Sequence, residues 1–272
     1  PLSKDRFLPD VAKRSPDFSA PYPLAFADNG DRIGMPQRYG PFCFVVNTDK
    51  ISRKTAEDQG WSIFLDPAMK GRFGVLTYDN WNVIHLCITA GIDPFKAVGE
   101  DGVAKFTETT KAVFAGAKLL SDDLVTMNTA LINGEIDAYF TGGTYTASPA
   151  RFDGATNIRG ITPNSGPIGG KGGVVWVELT SVVNNPDVSP LAEDFLEFVQ
   201  KPEIAKAVSF AEGTYNPVSQ MGDAETFKLW DSTELDAIQW DSLSEELARS
   251  ADFSIVPDYD ALLKIYTAAK RR

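Results

Sequence analysis

The chain has 272 residues, 43% of them apolar and 23% charged, with Lys+Arg 26 against Asp+Glu 37 and a formal net charge of −11. At ~150 residues per domain this length predicts roughly two domains, large enough to bury cores without a disulfide or metal staple. The composition excludes a disordered or collagen-like chain, and the acidity excludes a general nucleic-acid binder, which needs clustered Lys and Arg against phosphates.

Pro9, Pro16, Pro21 and Pro23, then Asp28-Asn29-Gly30-Asp31, predict loop with at most a short helix over the first ~30 residues. No run approaches the ~18 apolar residues of a membrane span, and Pro1-Leu2-Ser3-Lys4-Asp5-Arg6 carries no signal-peptide pattern. Residues 42–46 read as a buried strand turning at Asn47-Thr48-Asp49. Residues 60–71 have helical apolar spacing closed by Lys70-Gly71, and residues 74–77 read as a strand. Asp79-Asn80 supplies an N-cap for a helix over 81–90, with Gly91 at C′.

Helical spacing recurs over 107–119 and over 124–133, which ends at Asn133-Gly134. A strand over 136–140 leads through Thr141-Gly142-Gly143-Thr144 into a helix start, and 173–178 is another strand. An amphipathic helix over 190–200 precedes a second one that starts at Pro202 and runs to residue 211. The C-terminal third, rich in Glu, Leu and Ala, reads as helical, and no internal repeat is present. The alternation indicates an α/β architecture with mainly parallel sheets. Ligands then bind where strands end and helices begin, which marks residues 77–82, 140–145 and 176–178.

The inventory of reactive groups is thin. His85 is the single histidine and lies in a mostly apolar helix, which reads as a core position. Cys43 and Cys87 sit among apolar residues and read as buried free thiols. Neither CxxC nor HxxxH spacing supports zinc. The stretch from Gly166 to Gly173 imitates a phosphate loop but fails GxxxxGK[ST], because Gly172 stands where the hydroxyl is needed; it reads as a connection before a strand. Phe140 and Tyr139 read as sheet core.

Several stretches carry a family resemblance. Trp61-Ser62-Ile63-Phe64-Leu65-Asp66-Pro67-Ala68-Met69-Lys70-Gly71-Arg72 resembles a W-x-x-L-x-x-P-x-x-K-G-R pattern before a strand. Leu76-Thr77-Tyr78-Asp79 is similar to a strand-end loop, and Asn133-Gly134-Glu135-Ile136-Asp137 to a G-E-V stretch. Gly172-Gly173-Val174-Val175-Trp176-Val177-Glu178 resembles G-G-I-F-W-M-D, and residues 193–199 with Lys201-Pro202-Glu203-Ile204-Ala205 resemble the helix pair that follows. In order and spacing these resemble the solute-binding proteins of bacterial ABC importers, type II, in the spermidine/putrescine-binding branch.

The resemblance implies a two-lobed type II periplasmic-binding-protein (Venus flytrap) fold, with the N-terminal part of lobe 1 missing. It assigns residues 1–42 and 177–218 to lobe 1 and residues 43–176 and 219–272 to lobe 2, with a hinge near 42–46 and 174–178. It further implies a monomer, periplasmic or lipid-tethered, that carries a small amine to membrane permease subunits without a cofactor. Nucleic acid and catalysis play no part.

The resemblance implies a ligand set. Trp176 and Glu178, two apart on a strand, share a face, and they match the family's Trp and Asp. Asp79 matches a cleft carboxylate, Asn82 replaces a second one, and Ser121 matches a hydroxyl contact. Gly142 stands about where a stacking Trp is expected. Thr214 or Tyr215 falls near a family Tyr, and Tyr39 lines the hinge side. Carboxylates pair with ammonium groups, and aromatic faces add ~0.5–2 kcal/mol of cation–π attraction. The lost carboxylate and lost Trp argue against a long polyamine. Backbone N–H groups at Gly142-Gly143-Thr144, or Arg38, Arg151 and Arg159, offer sites for a carboxylate end, as in γ-aminobutyrate. Putrescine, an amino-acid-like amine, ferric iron with Tyr215, thiamine or sulfate, and an α/β enzyme using Asp79, Glu178 or His85 as base remain open alternatives.

Overall fold

The computed structural model describes residues 25–271. The loop expected at the N-terminus lies, up to residue 24, outside them. Seven strands form one sheet in the order β3-β2-β4-β1-β6-β7, with β5 paired to β1. These are β1 Met35–Asn47, β2 Phe73–Leu76, β3 Leu119–Ser121, β4 Ala138–Gly143, β5 Ile158–Ile161, β6 Gly173–Thr180 and β7 Ser250–Asp252. The principal helices are α1 Arg53–Gln59, α2 Asp79–Thr89, α3 Glu100–Gly116, α4 Leu124–Ile132, α5 Thr144–Phe152, α6 Ala192–Val199 and α7 Pro202–Ser209. Then follow α8 Ala224–Phe227, α9 Ser232–Ala237, α10 Leu243–Ala248 and α11 Tyr259–Lys270.

The sheet is mixed, which corrects the mainly parallel expectation. β2 runs parallel to β3 and β4, and β6 to β7. β1 is antiparallel to β4, β5 and β6. Its first half pairs with β6 (Met35 opposite Thr180, Gly40 opposite Trp176), and its second half with β4 and β5. β1 is therefore longer than the apolar run 42–46: it continues back through Pro36, Gly40 and Pro41, and all of it is buried. Register shifts between Pro36 and Tyr39 and between Cys43 and Val45 bend the strand, and such irregularities are where proline is tolerated.

Residues 60–69 form two 3₁₀ helices, Gly60–Leu65 and Pro67–Met69, instead of one α-helix. Pro67 has no N–H to continue the ladder, and Asp66 before it is extended (ψ 124°). α2 is capped by Tyr78, so Asp79 stands inside its first turn and not at the cap.

Three clusters hold these elements together. Phe44, Trp61, Phe64, Phe73 and Phe140 form edge-to-face pairs with centroids 5.1–5.3 Å apart. Each such pair adds ~0.5–1.5 kcal/mol beyond area burial. On the other face of the sheet Val45, Leu76, Met127, Leu131 and Tyr139 pack under α4 and α5. A third cluster joins Tyr39 of β1 to Ala205, Val218, Trp230, Ile238 and Leu243. Cys43 and Cys87 are buried free thiols, and burial pushes the Cys87 thiol up to about 12.

Candidate functional site

β1 and β6 run side by side, and the residues where β4 passes into α5 and where α2 begins lie over them. A cleft of about 410 Å³ opens at this meeting point, lined by Arg38 and Phe42 of β1, Trp176, Val177 and Glu178 of β6, Trp81 of α2, Tyr145 of α5, and Glu212, Thr214 and Asn216 of the segment after α7. A larger groove of about 630 Å³ lies elsewhere, walled by aliphatic residues such as Ile33, Val183 and Val188 together with Arg32, Asn184 and Glu193, and it holds no aromatic ring. Charged and aromatic groups converge in the smaller cleft, and that convergence makes it the candidate site.

One end of the cleft is ionic. Arg38 donates from Nε (2.8 Å) and Nη2 (2.5 Å) to Oε2 of Glu178, and from Nη2 to Oε2 of Glu212 at 2.8 Å. Burial works against the Arg38 charge, but the hydrogen bonds it donates to Glu178 and Glu212, with their negative charges, outweigh it and hold the guanidinium above its ordinary value. The Arg38 side chain is 9% exposed, Glu178 38% and Glu212 75%. Glu212 stands in the left-handed region at φ 63°.

Besides Val177, Thr214 and Asn216, the lining is a continuous aromatic wall. Trp81 stacks on Phe42 (4.0 Å, 4°), Phe42 meets Tyr145 at 5.5 Å, and Tyr145 meets Trp176 edge-on at 5.5 Å. Above Gly40, a side chain's Cβ would sit 3.4 Å from both Thr144 Oγ1 and Trp176 Nε1. A side chain here would meet both buried polar atoms at ordinary van der Waals distance. Behind the wall, His85 is buried, stacked on Trp61 at 4.4 Å and hydrogen-bonded through Nδ1 to Thr141 Oγ1 at 2.9 Å. Burial lowers His85 to about 3, so it is neutral at physiological pH.

The sequence-selected residues divide. Trp176, Glu178 and Thr214 line the cleft together. Tyr39 is fully buried in the third cluster, with its backbone N–H on Pro217 O at 3.2 Å. Asp79 pairs with Lys270 at 3.1 Å. Asn82 is buried and donates to the carbonyls of Leu76 and Tyr78. Ser121 Oγ accepts from the Asp123 N–H at 3.0 Å. Tyr215 packs against Phe152 at 4.5 Å and Phe210 at 4.8 Å.

The arginines considered for a carboxylate end are all engaged. Arg38 holds Glu178 and Glu212, Arg151 holds Asp236, and Arg159 holds Asp241. The Gly143 N–H is likewise taken, by Thr146 Oγ1 at 2.9 Å. Sequence reasoning did not select Phe42, Trp81, Tyr145, Glu212 or Asn216 as ligand residues. Trp81 and Tyr145 nevertheless fall within the junctions 77–82 and 140–145 that the strand-to-helix rule marked. Glu212 had no local signal.

Residues 7–233 match the family described as bacterial extracellular solute-binding protein. The chain belongs to this family, whose members carry solutes for ABC transport and perform no catalysis. Among solved structures it is similar to a spermidine/putrescine ABC transporter substrate-binding protein, PotD, from Streptococcus pneumoniae. That likeness has 14% identity and TM-score 0.67, covering 100% of this chain and 78% of that one. An ABC transporter structure from Clostridium perfringens has 12% identity and TM-score 0.67, with 99% and 77% covered. Iron-bound HitA from Pseudomonas aeruginosa has 19% identity and TM-score 0.57, with 94% and 75% covered. At these identities the likeness shows the two-lobed type II fold and leaves the ligand undetermined. No curated protein matches the sequence. The family places the protein outside the cytoplasmic membrane, and no helix among the described residues is long and apolar enough to cross one.

Proposed function

We propose that the protein captures a small amine-bearing solute in the cleft between its lobes, without chemistry, and delivers it to the permease of an ABC importer. The observation that carries this reading is the shared arginine. Glu178 and Glu212 divide one guanidinium between them, which leaves the ionic end of the cleft one negative charge in excess. A desolvated ammonium supplies the missing cation through charge-assisted hydrogen bonds, and the aromatic wall beside it receives the alkyl body. Trp176, Glu178 and Thr214, with Arg38, Phe42, Trp81, Tyr145, Glu212 and Asn216, are the proposed ligand shell. Tyr39, Asn82 and Tyr215 stand next in sequence to shell residues, whereas Asp79 and Ser121 lie outside the cleft lining.

β1 and β6 act as the hinge, bending near residues 42–46 and 174–178, where β1 already carries an irregular register. The ligand selects the closed state by touching both walls. The protein acts as a periplasmic or lipid-tethered monomer.

Ferric iron is the second reading. The hydroxyls of Tyr78 and Tyr145 interact beside the cleft, and paired phenolates suit iron. Burial pushes both hydroxyls up, which disfavours the phenolate and places this reading second.

Thermal-shift screening with putrescine, spermidine, n-butylamine, γ-aminobutyrate, several amino acids and ferric citrate separates the readings. An amine at 100 times its Kd raises stability by about 2.7 kcal/mol and is recovered unchanged. Silence from every amine, or a shift with ferric citrate alone, overturns amine capture.

A further inference from the structure

We propose that the solute is an organic monocation: one ammonium head on an apolar body, in preference to a diamine or a zwitterion. This inference rests on the amine reading above and narrows it. The charged residues lining the cleft are Arg38, Glu178 and Glu212, and all of them stand at one end. Their formal charges, one positive and two negative, leave a deficit of one cation. Glu178 uses only Oε2 in its contacts with Arg38. Its Oε1 has no hydrogen-bond partner among the described residues and is the natural acceptor for the head group, with the exposed Glu212 side chain beside it.

The other end offers no second pole. From Trp176 the wall continues through Tyr145 and Phe42 to Trp81 in ring-to-ring steps of 5.5, 5.5 and 4.0 Å. Asp79, two residues before Trp81, does not line the cleft and is held by Lys270. A diamine that placed one ammonium at Glu178 would carry the other into this aromatic end with no carboxylate to meet it. Half-buried rings of Trp81, Tyr145 and Trp176 offer a second ammonium only cation–π attraction, weaker than the charge-assisted hydrogen bonds at Glu178. A carboxylate there fares no better. Arg38 is filled by two glutamates at the opposite end, and Arg151 and Arg159 have their own partners. An uncharged alkyl or aryl tail is the group this wall accommodates without an unpaired charge.

Calorimetry with n-butylamine, putrescine and γ-aminobutyrate tests this directly. The three share a four-carbon skeleton and an ammonium, and differ at the far end: methyl, ammonium or carboxylate. The expected result is n-butylamine binding at least tenfold tighter than either of the others. Putrescine or γ-aminobutyrate binding as tightly as n-butylamine, or tighter, overturns the single-headed solute while leaving amine capture intact. Absence of binding by all three and by spermidine overturns amine capture itself, and this inference with it. In Glu178→Gln, n-butylamine affinity falls at least tenfold, and unchanged affinity refutes the placement of the head. Should that variant fail to fold, Glu212→Gln, on an exposed side chain, provides the same comparison.

Discussion

Glu246 is the buried acid whose environment makes the firmest claim at the residue scale. It lies on α10 with no exposed surface, and its Oε2 accepts from the Thr162 N–H at 2.7 Å. Burial pushes it up to about 7, although the Thr162 hydrogen bonds and the charges of Arg159 and Arg53 pull the other way. The folded state therefore holds a proton that the unfolded chain releases near 4.5, the ordinary glutamate value. Stability falls as pH rises through that window, by about 3 kcal/mol in total, and levels off above it. His85 has the opposite sign. Lowered from 6.5 to about 3 by burial, it removes stability as pH falls below its ordinary value, because the unfolded state then binds the proton. The two offset each other between pH 4.5 and 6.5. Glu246→Gln keeps an acceptor for the Thr162 N–H and removes one slope. Melting temperature measured from pH 5 to 8 is expected to rise in Glu246→Gln relative to wild type, with the gap widening towards pH 7. A constant gap contradicts an uncharged Glu246 in the folded protein.

At the scale of elements, the passage from β4 into α5 positions much of the cleft. Thr141 stands at φ 64°, an unusual value for a β-branched residue, and its hydroxyl meets His85. Gly142 and Gly143 follow, and then α5 carries Tyr145 into the aromatic wall. Gly160 on β5 lies against this turn: a Cβ there would stand 2.8 Å from Gly143 C and Thr144 N, both backbone atoms. Gly160→Ala therefore must move β5 or the turn. We expect a loss of about 1–3 kcal/mol by urea unfolding, with weaker amine binding because Tyr145 shifts with α5. Wild-type stability in this variant would show the turn to be pliable and not fixed by close packing.

Most strands and helices around this turn were legible from hydrophobic period, and so was the placing of Trp81 and Tyr145 at strand-to-helix junctions. β1 was legible only in part: the apolar run 42–46 marks its second half, whereas its first half contains Pro36, Gly40 and Pro41, and only Pro36 stands at the register shift with β6. The mixed sheet was not legible. Local alternation implies parallel crossovers, whereas β1 and β6 are joined by more than a hundred residues and meet antiparallel. The ionic end shows the same limit. Arg38 reaches Glu178 and Glu212 across sequence separations of 140 and 174 residues, with no local pattern to announce the triad.

For the whole molecule, we propose two lobes that meet at β1 and β6 and close on a cation. The net charge of −11 suits this, since a negative field draws cations and repels anions on approach. The cleft's ionic end lies on β1, β6 and the segment after α7, whereas Trp81 and Tyr145 come from helices that follow β2 and β4. A ligand bridging these groups is what would favour the closed arrangement over the open one. Small-angle X-ray scattering of the protein alone, and then saturated with the amine that binds it most tightly, tests this most directly. The account predicts a smaller radius of gyration in the saturated sample and a scattering curve that returns to the original after dialysis. An unchanged radius at saturation, with occupancy established by calorimetry on the same sample, contradicts it.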